Sequence, residues 1–297
     1  MKRFIKKVVI LIVICSALVA LISYASLSVL KKSAFYKPSY LSQHVEPSNF
    51  DYIILGASTG LTTLNTELID SLNHTKGINL AMDDTALATQ YLMLQHFIYE
   101  GKSTDYCILA PSVFDFDVTD SVMSGNDYRF MMFNDRDYVQ NHYSTFDGTD
   151  ANLLKLSRWF PALGVAYYNV EILYPALQAT VKPEKRNRFD ANGNYVYPLS
   201  SSDDQKINTS TTFQIGFKNP WLMKIKALCE TNNIKLIYYI SPLQGYSVMA
   251  APQINEVINH SDVLQNKKYF YDDIHVDRKG RKKVTELFAD RLAQIME

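Results

Sequence analysis

Hydrophobic and polar positions fall into distinct regimes along the chain. Val8 to Leu30 are 23 consecutive uncharged, mostly apolar positions. As a helix they are about 34 Å long, enough to cross the hydrocarbon core of a bilayer. Residues 33–50 are polar, contain Pro38 and Pro47, and read as a linker. From residue 51 onward short apolar runs alternate with stretches of helical period. Tyr52–Leu55, Gly77–Ala81 and Tyr106–Ala110 predict strands. Between them the pattern predicts helices over about 60–72 and 85–100, the second capped by Asp83-Asp84-Thr85. Residues 112–150 show no clear period, and 151–180 are helical with a break at Pro161. An Asn-Gly turn follows in Phe189–Tyr195, and Ser200–Thr212 reads as loop. The alternation resumes with a helix over about 219–231 and the strand Ile234–Ile240. A helix over 251–265, a short last strand Lys268–Tyr271 and a closing helix over 278–296 complete the expectation.

Strands alternating with helices argue for an α/β fold, a doubly wound and mainly parallel five-stranded sheet behind one N-terminal transmembrane helix. The expected division is a cytoplasmic tip and anchor over 1–32, a linker over 33–50, and an α/β domain over 51–297. Residues 112–215 are then an insertion at the ligand edge of the sheet.

Charge refines this picture. Lys2, Arg3, Lys6 and Lys7 precede the apolar run, and Lys31, Lys32 and Lys37 follow it. The bias favours the N-terminus in the cytoplasm and an extracytoplasmic body on a single-pass anchor. Ser23-Tyr24-Ala25 resembles a signal-peptidase site, so a cleaved leader is the competing reading. The apolar run continues past it to Leu30 without a helix breaker, which favours retention. The formal net charge of zero hides an asymmetry: 1–37 hold seven basic and no acidic residues, leaving 23 basic against 30 acidic beyond. A body of that sign lacks the basic footprint of nucleic-acid binding. Cys107 and Cys229 fit two buried thiols better than a disulfide. Neither the cysteines nor the histidines show metal-ligand spacing, and Asp115-Phe-Asp117 with Asp120 fits no calcium loop, so no metal or cofactor is expected. Tyr128, Phe130, Tyr138, Tyr143, Phe146 and Trp159 provide either a small core for the insertion or surfaces for stacking sugar rings. Arg278, Lys279, Arg281, Lys282 and Lys283 read as the wet face of the last helix.

Candidate chemistry concentrates at the two ends of the predicted sheet. The first strand breaks at Gly56, and Ser58 lies on the turn into the next helix. Open α/β sheets place ligands at such turns. Ser58 and Thr59 are equally compatible with simple helix caps. Asp272-x-x-His275 falls at the same sheet edge. Its spacing lets the carboxylate reach Nδ1 of the imidazole and leaves Nε2 outward as a base, which a serine nucleophile requires.

Gly56-Ala-Ser58 after the first strand, with Asp272-x-x-His275 before the last helix, resembles the SGNH (GDSL-type) hydrolase superfamily. The resemblance spans about 50–297, with its specific residues confined to the ends. The anchor, the mid-chain insertion and the Phe189–Tyr195 turn resemble its membrane-anchored relatives in envelope and exopolysaccharide acylation. It implies Ser58 as nucleophile, His275 as base and Asp272 as its orienter. The implied substrate is an acylated glycan, worked on beside a membrane-bound O-acyltransferase. The chain departs from the pattern elsewhere. Asn79-Leu80-Ala81-Met82-Asp83-Asp84 replaces both glycines of the second block, and Ala110-Pro111-Ser112-Val113 lacks the asparagine donor of the third. Asp84, through its N–H, and Ser112 are the remaining oxyanion candidates. These departures support an alternative, a catalytically weak accessory protein that binds glycan or the acyltransferase.

Overall fold

A computed structural model describes residues 1–120, 122–200, 204–207, 211–251 and 256–297. They form two compact units: Met1–Glu46 with Asp127–Asn187, and Pro47–Asn126 with Arg188–Glu297.

The second unit is α/β. Its strands are β1 (Asn49–Gly56), β2 (Gly77–Asn79), β3 (Ser103–Ala110), β4 (Thr211–Ile215), β5 (Lys235–Ile240), β6 (Tyr246–Ala250) and β7 (Val257–Asn259). Five of them make one sheet in the order β2-β1-β3-β5-β7, every pair parallel, while β4 and β6 pair as a separate parallel ribbon. The five-stranded parallel sheet expected from the alternation is therefore present. Side chains alternate across a strand. Tyr52, Ile54, Tyr106, Ile108, Ile237 and Tyr239 share one core with Val284, Phe288 and Leu292 of helix Arg278–Met296. The intervening Ile53, Leu55, Cys107 and Leu109 are buried as well. Burial on both faces makes a strand a continuous apolar run, which is why β1, β3 and β5 stand out in the sequence.

Several expectations need correction. The helix over 60–72 is two helices, Ser58–Thr63 and Thr66–Asn73. At the break, the Leu64 carbonyl accepts from Arg281 and the Asn65 N–H donates to Thr285 Oγ1, so tertiary bonds replace helical ones. Asp83-Asp84-Thr85 does not cap helix Leu87–Tyr99. Its N-cap is Ala86, whose N–H donates to Ser124 Oγ, and Asp84 sits in the left-handed region at φ 51°. The helix expected over 251–265 is replaced in part by β7, whose backbone pairs with β5 in the register Tyr238↔Val257; residues 252–255 lie outside the described residues. An open sheet edge supplied backbone partners that a local helical pattern could not match. Lys268–Tyr271 is no strand: Lys267–Tyr269 form a 3₁₀ turn, and Phe270 bridges antiparallel to Val276. The loop expected over Ser200–Thr212 lies partly outside the described residues, and β4 begins within it. His96 is fully buried. Cys107 and Cys229 are buried free thiols.

The first unit is helical. Its helix Lys2–Lys32 is long and apolar enough to cross a bilayer. Lys37–Gln43, in the stretch read as linker, is also a helix. A 3₁₀ segment Asp127–Phe133 precedes helices Asp137–Ser144, Thr149–Leu156, Pro161–Tyr167 and Asn169–Val181. Tyr128, Phe130, Tyr143 and Phe146 are core residues there, whereas Trp159 is 74% exposed. His142 Nε2 lies 2.8 Å from the buried Asp127 carboxylate, a pairing with no signal at local spacing.

Candidate active site

The site begins where β1 ends. Gly56 and Gly60 flank Ser58, and both need to lack a side chain. A Cβ on Gly56 would stand 2.1 Å from the Ala110 carbonyl oxygen, and one on Gly60 would stand 2.7 Å from it. Real Cβ atoms do not approach so closely, so the glycines let the Ser58–Thr63 helix lie flat against the end of β3. Ser58 is the first residue of that helix. The N-cap is Ala57, and no side chain caps the helix. Thr59 Oγ1 donates instead to the Pro111 carbonyl at 3.3 Å. The capping role open to Ser58 and Thr59 is thus not used, and the Ser58 hydroxyl points elsewhere.

It points to His275. Ser58 Oγ lies 2.9 Å from His275 Nε2, across 217 residues of sequence. On the far side of the ring, Nδ1 lies 2.8 Å from Asp272 Oδ2 and 3.0 Å from Oδ1. A carboxylate only accepts, so Nδ1 carries the proton of the neutral ring and Nε2 offers its lone pair to the serine hydroxyl. Asp272 is itself held by the backbone. Its Oδ1 accepts from the N–H of Ile274 at 3.0 Å and of His275 at 2.8 Å. Partial burial pushes the Asp272 carboxyl up, but the His275 ring and the two N–H groups outweigh it, and the net shift is downward. Asp272 is therefore a carboxylate at neutral pH. Asp273 faces away, accepting from Gln244 Nε2 at 3.2 Å.

The loop bearing Asp272 and His275 is closed by its own backbone. Tyr271 N–H donates to the His275 carbonyl at 2.8 Å, and Phe270 bridges to Val276. Asp277 then caps the last helix, accepting from Gly280 N–H at 2.8 Å. That helix also grips the segment that carries Ser58. Arg281, expected on a wet face, is only 7% exposed and donates to the Leu64 carbonyl at 3.1 Å. Burial lowers its pKa to about 10 despite Asp190 and Glu67, leaving it charged at neutral pH. Thr285 Oγ1 donates to the Thr63 carbonyl at 3.4 Å and accepts from Asn65 N–H at 3.1 Å. Three bonds from one helix thus hold the far end of the Ser58 helix, and the same helix begins three residues after His275. This explains how two ends of a chain keep a 2.9 Å separation.

Tyr197 is a site residue with no sequence signal. Its ring lies 5.1 Å from the imidazole of His275 and stacks on Tyr271 with 4.3 Å between centroids. Burial, then the nearby Asp272 carboxylate, raises its pKa, so the phenol stays neutral. The two expected oxyanion residues lie on loops beside Ser58. Asp84 belongs to the turn 82–85, whose Met82 N–H donates to the Gly56 carbonyl at 3.0 Å and whose Thr85 Oγ1 donates to the Met82 carbonyl at 2.7 Å. Its side chain is exposed. Ser112 follows Pro111, the acceptor of the Thr59 bond, and is half-buried at the start of a 3₁₀ turn. Among the described residues no group of three or more His, Cys, Asp or Glu side chains is arranged to hold a metal ion. Asp117, in the Asp-rich stretch, accepts from the N–H groups of Gly216 and Lys218 and closes a turn. No family model matches the chain, and no curated protein matches it.

Proposed function

We propose that the protein is a membrane-anchored, extracytoplasmic serine acyl-ester enzyme of the SGNH type, with a doubly wound sheet. It moves or removes an O-acyl group on an envelope or secreted glycan. The observation that carries this reading is the continuous relay from Ser58 through His275 to Asp272 at the end of β1. Ser58 Oγ attacks the ester carbonyl as His275 Nε2 takes its proton, and Asp272 holds the imidazolium that forms. Collapse of the tetrahedral species expels the sugar alkoxide, which His275 protonates. The acyl-serine is resolved by water in a hydrolase, or by a second sugar hydroxyl in a transferase working with a membrane-bound O-acyltransferase. The Ser58 N–H, first in its helix, has no intrahelical acceptor and suits a developing oxyanion. The Asp84 N–H and the Ser112 hydroxyl are the candidates for the second donor.

A second reading, an accessory protein of weak activity that binds glycan or the acyltransferase, draws support from those same loops. They carry Asp84 and Ser112 where the superfamily pattern has glycine and asparagine. Losing one oxyanion donor lowers turnover by about 10²–10³. Fluorophosphonate labelling of the full chain in detergent micelles decides between them. The enzyme reading expects a single adduct on Ser58, absent in Ser58→Ala. No adduct on a folded wild-type chain sinks it and leaves the accessory reading.

A further inference from the structure

Helix Asn169–Val181 is apolar on two opposite sides. Ile172, Ala176 and Ala179 face the interior of the helical unit. Val170, Leu173, Tyr174, Leu177 and Val181 are exposed, at 67, 38, 60, 66 and 74%. At 100° per residue these five fall within an arc of about 100°, and Glu171 lies outside it. The stripe continues onto the preceding helix through Leu163 and Tyr167, and ends at the exposed Trp159 and Phe160. A water-soluble surface rarely presents a continuous apolar band of this kind.

What covers it follows from the helix it sits against. Both Pro161–Tyr167 and Asn169–Val181 pack on helix Lys2–Lys32. On that helix Ser23 and Leu30 are buried and Ser26–Val29 half-buried, whereas Val8–Ile22, Tyr24 and Ala25 are exposed. The exposed stretch uninterrupted by a buried residue is Val8–Ile22, 15 residues and about 22 Å long, against a hydrocarbon core of about 30 Å. The shortfall of about 8 Å falls on Ser23–Leu30, the segment where burial of the helix begins. Without further apolar surface there, the outermost hydrocarbon would meet the flank of a folded unit. The exposed stripe supplies that surface, with Trp159, Tyr167 and Tyr174 as the amphipathic aromatics that favour the lipid–water boundary.

We propose that helices Pro161–Tyr167 and Asn169–Val181 form a lipid-immersed collar around the outer third of the anchor, seating the helical unit in the leaflet on the body's side. The collar does not depend on the esterase reading, but it rests on Lys2–Lys32 being a retained span. Charge fits this placement: Arg158, Lys182 and Lys185 border the stripe and suit phosphate headgroups.

The chain has two tryptophans, and Trp221 is buried, so Trp221→Phe leaves Trp159 as the sole reporter. The full chain is reconstituted into vesicles of phosphatidylcholine and phosphatidylglycerol, with or without 5-doxyl lipid. Flotation with the vesicles reports the anchor; fluorescence reports the collar. The expected result is strong quenching of Trp159 by the doxyl lipid, with aqueous iodide quenching reduced about fivefold relative to the urea-unfolded chain. Floating protein whose Trp159 stays open to iodide and untouched by doxyl overturns the collar. Shielding from iodide without doxyl quenching also overturns it, because a protein surface then covers the stripe. A chain that does not float removes the anchor and the collar together. A nitroxide on Leu177→Cys, in a Cys15→Ser background, gives an independent readout at an exposed position. Its accessibility should be higher to oxygen than to a water-soluble nickel chelate, and the reverse order refutes the proposal.

Discussion

Replacing Asp272 by asparagine tests the relay at its least conspicuous member. The carboxylate makes bonds of two kinds: Oδ1 accepts from the N–H groups of Ile274 and His275, and Oδ2 faces Nδ1 of the imidazole at 2.8 Å. In Asp272→Asn the amide oxygen is drawn to the two N–H donors, since placing NH₂ against them would leave donors facing donors at about 1–3 kcal/mol each. The NH₂ then faces Nδ1, which must become an acceptor. The ring proton moves to Nε2 and points at Ser58 Oγ, 2.9 Å away. The base is lost while the geometry stays. A serine hydrolase with this tautomer loses about 10³–10⁴ in kcat, or about 4–5.5 kcal/mol of transition-state stabilisation. Stability should barely move, because the Asp272 side chain is 46% exposed and its backbone bonds persist. The assay is hydrolysis of p-nitrophenyl acetate by the full chain in detergent, with the thermal midpoint measured in parallel. KM should hold and turnover should collapse with the fold intact. A variant that keeps more than about a tenth of wild-type turnover refutes the tautomer argument and reduces Asp272 to a loop-closing residue.

Gly60→Ala puts a methyl group 2.7 Å from a backbone oxygen, so the Ser58 helix must lift off β3; a loss of about 1–3 kcal/mol in urea unfolding is expected, with slower fluorophosphonate labelling of Ser58. An unchanged midpoint would show that the close approach is slack. His260 is buried beside Tyr239, and burial lowers its pKa to about 4 from an ordinary 6.5. The folded state therefore binds fewer protons than the unfolded chain between those values. Its contribution is complete above pH 6.5 and is lost as pH falls toward 4, by on the order of 3 kcal/mol. Unfolding midpoints of wild type and His260→Phe across this window should differ in slope, wild type being the steeper; parallel slopes would refute the burial argument.

What the sequence disclosed and what it hid have physical causes. β1, β3 and β5 are buried on both faces and announce themselves as apolar runs, as does the helix Lys2–Lys32. Ser58, Asp272 and His275 were legible because each sits at the end of a local pattern, a strand break or a three-residue turn. The support beneath them was not. Arg281 looked like one of five surface cations, yet it reaches Leu64 across 217 residues, and only tertiary packing decides which cation turns inward. Tyr197 lies in a stretch without period, so nothing local sends its ring to the imidazole. β7 was hidden because Val257-Ile-Asn259 is too short to show a period, and the exposed edge of β5 decides its conformation. The two short helices after Ser58 merged into one for a similar reason, since the break at Leu64 is made by the far end of the chain.

The helical unit is assembled from two stretches of chain, and that has a consequence for synthesis. Helix Lys2–Lys32 is made first, while Asn169–Val181, which packs beside it, is made about 140 residues later. At about 5–20 residues per second the interval is about 7–30 s, far longer than helix formation takes. If Lys2–Lys32 is the retained span proposed above, it waits in the bilayer without its companions, bathed in lipid before any protein covers it. Burial of Leu30 must then displace lipid already in contact with it. Most of the α/β unit's first three strands emerge within the same interval, so strand pairing among β1, β2 and β3 has the time to precede closure of the helical unit.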